Sequence, residues 1–211
     1  LMSDFIRSQA QAWTDIREKF SYNETPNGPG STLASTENVR ADLPQLLADY
    51  GIGSVLDAPC GDQNWMQHVD LHGIDYIGWD VEPTIIATNQ SRWPTKTFAC
   101  KNLLTTRTMP VVDLILCRDF TIHLPTEHVT KLLLKFWASG SRYLLTTNYP
   151  AGHNDYSFPP EGHDGRPGYY AHPWNLEIAP FNLPGRIDAI TEDDGDHELV
   201  LFDLSGSNPV R

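Results

Sequence analysis

At 211 residues the chain can form one domain with a sizeable core and is too short for two comfortable ones. Lys and Arg number 15 against 27 Asp and Glu, a net charge of −12. That balance opposes nucleic acid as a partner, because such affinity rests mainly on neutralising phosphates, and no cluster of Lys and Arg offsets it.

Residues 3–20 carry Phe5, Ile6, Trp13, Ile16 and Phe20 at roughly helical spacing, which predicts an N-terminal helical arm. The arm either packs on the domain or lids a cavity. Residues 21–31 are rich in Asn, Pro and Gly and read as a loop. Thr32 or Ser35 can cap a helix through Asn38, Val39 and Leu43. Pro44 then begins a further turn carrying Leu46, Leu47 and Tyr50, and Gly51 stops it.

The organising stretch comes next. Ser54-Val55-Leu56-Asp57 is an apolar run ending in an acid, followed by the tight turn Ala58-Pro59-Cys60-Gly61-Asp62. Gln63-Asn64-Trp65-Met66 can then open a helix. Strand, turn and helix in that order set backbone N–H groups and a carboxylate at the carboxyl end of a parallel strand, where open α/β sheets bind ligands. A second strand, Tyr76-Ile77-Gly78-Trp79-Asp80, ends in a second acid, about twenty residues on, the spacing at which nucleotide-binding sheets keep a ribose-binding carboxylate.

Strands and helices alternate from there. Residues 83–90 read as a short helix and 97–100 as a weak strand. Residues 111–117 form a strand apolar on both sides, as a buried parallel strand should be. Residues 126–137 form an amphipathic helix with Thr126 as cap, and 143–147 another buried strand. This rhythm implies right-handed βαβ units and a parallel sheet. It breaks at residues 148–180, a Pro-, Gly-, His- and aromatic-rich segment whose rings argue for order and whose length argues for function. Residues 186–191 and 198–204 close the chain as an antiparallel hairpin at the sheet edge, joined by the acidic turn Glu192-Asp193-Asp194-Gly195-Asp196.

Cys60, Cys100 and Cys117 are an odd number at spacings that match no zinc pattern, each in or beside a predicted core strand. A reducing, cytoplasmic compartment fits them. No run is long enough to cross a bilayer, and the first residues lack a basic stretch followed by an apolar one, so no membrane partner is expected.

Taken together, Val55-Leu56-Asp57-Ala58-Pro59-Cys60-Gly61-Asp62, Tyr76-Ile77-Gly78-Trp79-Asp80, Asp113-Leu114-Ile115-Leu116-Cys117-Arg118-Asp119 and Tyr143-Leu144-Leu145-Thr146-Thr147 resemble successive motifs of the class I S-adenosylmethionine-dependent methyltransferases. The wording Asp-Ala-Pro-Cys-Gly-Asp is similar to that of one subgroup of that family. The resemblance spans about residues 30–204. It implies an α/β, Rossmann-like fold with a seven-stranded, mostly parallel sheet, an antiparallel edge strand and helices on both faces. Residues 1–50 would be the arm or lid, 51–147 the cofactor-binding core, 148–180 a substrate cap and 181–211 the closing strands. One departure is plain: the family's first loop usually has three glycines, and here Pro59 and Gln63 stand where two of them would be.

The resemblance also implies roles. S-adenosyl-L-methionine would be the cofactor, held by Asp57, Ala58, Pro59, Gly61, Trp65, Asp80, Val81, Asn102, Cys117 and Arg118. Asp57 would receive the cofactor's ammonium group or else merely fix the loop. Asp80 would accept hydrogen bonds from both ribose hydroxyls, and Asn102 would face the adenine amino group or be a plain loop residue. Trp65 lines the cavity or packs the first helix onto the sheet, and Trp79 stacks near adenine or belongs to the core. Arg118 either binds a carboxylate or pairs with Asp119.

Methyl transfer needs an aligned nucleophile and a group to take its proton. His123, whose side-chain type titrates near neutrality, is the candidate base, with Asp119 orienting it or acting alone. The alternative for His123 is a helix-start residue bonded to backbone. Tyr149, His153, Arg166 and Trp174 are the candidate substrate contacts. The spacings of His153, Asp155, His163, Asp164 and His172 match no compact ligand pattern, so no metal is expected. The reading is methyl transfer to an oxygen, less readily a nitrogen, of a small polar metabolite such as a sugar-containing or natural-product intermediate. Its rivals are a macromolecular methyltransferase and a non-catalytic cofactor-binding protein.

Overall fold

The computed structural model describes residues 11, 13–15, 17, 18, 24–155, 171–192 and 195–206. The elements are α1 (Glu37–Asp49), β1 (Ser54–Asp57), β2 (Asp75–Asp80), α2 (Pro83–Arg92), β3 (Thr97–Cys100), β4 (Leu114–Cys117), α3 (Thr126–Ala138), β5 (Tyr143–Asn148), β6 (Arg186–Thr191) and β7 (Glu198–Asp203). The described residues between 11 and 18 are helical, in the place expected for the arm.

The strands form a seven-stranded sheet in the order β3-β2-β1-β4-β5-β7-β6. β1 to β5 pair in parallel, while β7 runs antiparallel to both β5 and β6. The expected mostly parallel sheet with its antiparallel edge is therefore present, with β7 inserted beside the outermost strand. That insertion matters for function. Because Asn148 pairs with Glu198, the β6–β7 turn lies at the same end of the sheet as the carboxyl ends of the parallel strands.

Period-two burial splits the core into two layers. Val55, Leu114, Leu116, Leu145, Leu199 and Leu201 face α1, whose Val39, Leu43, Leu46 and Leu47 are buried against them. Leu56, Ile115, Leu144, Val200 and Phe202 face α3 and its Val129, Leu132, Leu133 and Phe136. Each buried large aliphatic or aromatic side chain contributes roughly 1.5–3 kcal/mol, so the stripe on α3 outweighs any weakness of helix propensity.

Four local readings are corrected. Pro44 lies inside α1 instead of starting a second turn. The lost backbone hydrogen bond is tolerated because leucines on both sides of it are anchored in the core. β4 begins at Leu114; Val111 is exposed. No α-helix follows the first turn: only a short 3-10 turn, Met66–His68, forms there. Gln63 takes a left-handed conformation at φ 64°, and Asp62 Oδ1 accepts the Asn64 N–H, so side-chain bonding replaces a helical start. Cys60 and Cys117 are buried, but Cys100 is exposed, unlike the core thiol expected.

Candidate active site

The carboxyl ends of β1, β2, β4 and β5 and the β6–β7 turn surround a cavity of about 560 Å³. Asp57, the last residue of β1, lines it and is 3% exposed. Tyr76 donates its hydroxyl proton to Asp57 Oδ2, and Gln63 Nε2 donates to the Tyr76 hydroxyl at 2.7 Å and to the Cys60 carbonyl at 3.0 Å. Burial pushes the Asp57 carboxyl up to about 7, with hydrogen bonds from Tyr76 and Gln63 pulling the other way. Asp57 thus ties the loop to β2 and faces the cavity at once. Gln63 Oε1 is buried without a hydrogen-bond partner beside it.

Asp80 closes β2. Its Oδ2 accepts the Gly61 N–H at 3.1 Å and its Oδ1 the Glu82 N–H at 2.9 Å. Arg17 from the arm reaches the same carboxylate, Nη2 to Oδ1 at 3.2 Å, and Glu82 Oε2 at 3.6 Å. Gly61 holds φ 52°, a left-handed turn that favours glycine, and a Cβ there would lie 2.5 Å from Asn27 Nδ2. Asn27 is fixed in turn by donating to Asp62 Oδ1 at 2.7 Å. Residues 27–31 are therefore a wall of the cavity, a role the loop composition did not reveal.

Pro59 and Trp65 line the cavity, and the Arg118 guanidinium lies 5.8 Å from the Trp65 ring centre. A smaller adjoining hollow of about 40 Å³ is bounded by Trp79, Asp80, Val81, Asn102 and Phe120, with Trp13 across both. Asn102 Oδ1 accepts the Leu104 N–H at 2.9 Å, so part of its polar capacity shapes its own loop. Trp79 borders the hollow and belongs to the core as well. Ala58 and Cys117 are fully buried beneath the cavity and do not line it, a correction to their expected contact role.

His123 ends a 3-10 turn, Thr121–His123, lines the cavity and meets the Trp13 ring edge-on at 4.6 Å. Asp119 adopts φ 52°, and its N–H donates to Thr147 Oγ1 at 2.8 Å. Its carboxylate takes Arg118 Nη1 at 3.0 Å and stands 4.0 Å from His197 Nε2, so the histidine set against it is His197. Arg118 also forms a bidentate pair with Glu192, both bonds at 2.9 Å. Of its two expected roles the ion pair is the observed one, and the guanidinium is taken on both sides. Glu192, 1% exposed, has its carboxyl raised by burial against the opposing pull of Arg118. The Tyr149 and His197 rings stack at 4.8 Å on the same wall.

Glu192 and His197 escaped the sequence reading because an acidic turn normally faces water. The one signal was topological: a hairpin paired beside β5 returns its turn to the ligand end. Among the expected substrate contacts, Tyr149 lines the cavity. Trp174 does not; it is fully buried, donates Nε1–H to the Leu124 carbonyl and packs on Phe181. His153 is exposed and pairs with Asp155 at 2.7 Å, away from the cavity lining. Arg166, with His163 and Asp164, lies outside the described residues. Among the described residues no group of three His, Cys, Asp or Glu is placed to hold a metal ion, and no helix is long and apolar enough to cross a membrane.

No protein-family profile matches the chain, and no curated protein does. Solved structures do. The N-methyltransferase NodS from Bradyrhizobium japonicum WM9, in complex with S-adenosyl-L-homocysteine, superposes with a TM-score of 0.66 at 14% identity, covering 94% of this chain and 98% of that one. The fold is that of S-adenosylmethionine-dependent methyltransferases. Magnesium protoporphyrin IX methyltransferase ChlM from Synechocystis PCC 6803, with bound S-adenosylmethionine, gives 0.60 at 15% identity over 91% of this chain and 96% of its own. A methyltransferase from Clostridium acetobutylicum ATCC 824 gives 0.57 at 13% identity over 81% and 92%.

Proposed function

We propose that this methyltransferase-fold chain is an S-adenosylmethionine-dependent enzyme that methylates an oxygen, less readily a nitrogen, of a small polar molecule. One observation carries the reading: a single cavity joins the strand-end carboxylates Asp57 and Asp80 to a second polar array at Asp119, His123 and Tyr149. The residues present suit the cofactor. Asp57 and the unpartnered Gln63 Oε1 would hold its ammonium group. Asp80, already aligned by two backbone N–H groups, would hold its ribose hydroxyls, and Val81 and Asn102 would border its base. A cavity with five carboxylates (Asp57, Asp62, Asp80, Asp119, Glu192) against two guanidinium groups favours a cation. When bound, the cofactor supplies a sulfonium-activated methyl group.

The chain's own residues then position the acceptor and manage its proton. His123, largely withdrawn from water, would take the proton from the acceptor hydroxyl at a ring nitrogen, and Asp119 would shape the field there. Tyr149, Ala171, Trp13 and residues 27–31 line a cavity of about 560 Å³, a size that suits a small acceptor. A cytoplasmic setting suits the three free thiols.

Calorimetric titration with S-adenosylmethionine, followed by a small-acceptor screen using labelled methyl donor, tests this reading. Saturable binding and labelled product are expected; absence of binding overturns the enzyme and favours a scaffold. His123→Ala should bind the donor normally and lose turnover by about 10²- to 10⁴-fold. Unchanged turnover would remove His123 from catalysis.

A further inference from the structure

We infer that the Arg118–Asp119–Glu192 array makes the acceptor end of the cavity select neutral or cationic hydroxyl compounds and reject carboxylates and phosphates, with Glu192 as the residue that sets this preference. The inference rests on the methyltransferase reading for its chemistry, but its geometry stands apart from it.

A fixed arginine in a substrate cavity ordinarily serves as an anchor for anionic ligands, because its planar fork matches carboxylate and phosphate. Here the fork is filled from within. Nε and Nη2 of Arg118 donate to the two oxygens of Glu192, both at 2.9 Å, and Nη1 faces Asp119 Oδ2 at 3.0 Å. With His197, 3.9 Å from Glu192 and 4.0 Å from Asp119, in its neutral form, two carboxylates on one guanidinium leave the array one negative charge in surplus. The side chains of Arg118 and Glu192 are 6% and 1% exposed, so water screens that surplus poorly.

Arg17, the other guanidinium on the wall, is likewise matched by two carboxylates, Asp80 at 3.2 Å and Glu82 at 3.6 Å. Among the described residues both guanidinium groups on the wall are thus engaged by carboxylates, so an anionic acceptor would meet carboxylate before cation. A hydroxyl or ammonium group would instead donate to Asp119, whose side chain keeps 24% exposure, beside the stacked Tyr149 and His197 rings. The net positive charge of S-adenosylmethionine does not reverse this, and S-adenosylhomocysteine carries no net charge: the cavity wall holds five acidic side chains against two guanidinium groups.

Two matched series test the inference: glucosamine, glucose and glucuronate, and tyramine, 4-hydroxybenzyl alcohol and 4-hydroxyphenylacetate. Binding is read by saturation-transfer NMR on the protein alone and saturated with S-adenosylhomocysteine. The cationic and neutral members of at least one series should bind, and the anion should bind at least about tenfold more weakly. Equal or tighter binding of the anion overturns the inference, as does silence from both series.

Glu192→Gln should narrow the gap between tyramine and 4-hydroxyphenylacetate by about tenfold, and Asp119→Asn supplies the same measurement if the first variant folds poorly. A preference unchanged in a folded variant also overturns it. Failure of S-adenosylhomocysteine to bind, with the charge preference intact, would sink the enzyme reading and leave this one standing.

Discussion

Asp57 sits under two opposing demands. Burial favours its neutral form, whereas an ammonium ligand favours its charge. Its carboxyl is raised from 3.8 to about 7, so between those values the folded chain holds a proton that the unfolded chain has released. Its contribution to stability is therefore present at low pH and declines as pH rises through that window. Ligand binding runs the other way. Affinity for S-adenosylhomocysteine, which keeps the ammonium group, should fall by up to about tenfold per pH unit below 7, with proton release on binding. Calorimetry near pH 6.5 in two buffers of different ionisation heat reads the release directly, and Asp57→Asn should abolish it. Binding without proton release would detach Asp57 from the ammonium group.

Single residues were legible where a strand end fixed their place. Asp57 and Asp80 follow from strand spacing, Pro59 and Gly61 from the resemblance, and all four line the cavity. Trp174 was not legible, since an aromatic in a Pro-rich segment fits a cap or a core equally, and the Leu124 carbonyl decided for the core. Glu192 was hidden because its partner, Arg118, is 74 residues away in sequence.

Among the elements, β4 and β5 were read well because each is buried on both faces. The helices were read less well at Pro44 and at Gln63, where burial and side-chain bonding override local propensity. The segment after β5 shows how an irregular stretch is held. Tyr149 N–H donates to the Trp174 carbonyl at 3.0 Å, Asn154 Nδ2 to the Asn175 carbonyl at 2.7 Å, and Gly152 packs between the two passes of chain. A Cβ on Gly152 would lie 2.1 Å from the Pro173 carbonyl oxygen, a backbone atom with little room to yield. Gly152→Ala should cost about 1–3 kcal/mol in denaturant unfolding and disturb Tyr149, lowering acceptor turnover while leaving S-adenosylhomocysteine affinity nearly intact. Wild-type stability in that variant would show that the two passes are not closely packed.

Across the whole molecule there are 27 acidic side chains, and five of them line the cavity at one end of the sheet. The methylated cofactor and its demethylated product differ by one positive charge, so the protein should distinguish them by electrostatics that salt weakens. Raising NaCl from about 0.05 to about 0.5 M should lower the affinity ratio of S-adenosylmethionine to S-adenosylhomocysteine by about two- to threefold, measured by calorimetry. A constant ratio would mean that the carboxylates on the wall do not act on the sulfonium.

The insertion of β7 between β5 and β6 has a consequence for how such a protein can diversify. The connection between β6 and β7 spans six residues, 192–197, and brings Glu192 and His197 to the wall of the cavity that the ends of β1 and β2 also border. On the proposed reading, exchanging that hairpin tip alone would retune which acceptor fits and leave the strand-end carboxylates Asp57 and Asp80 untouched.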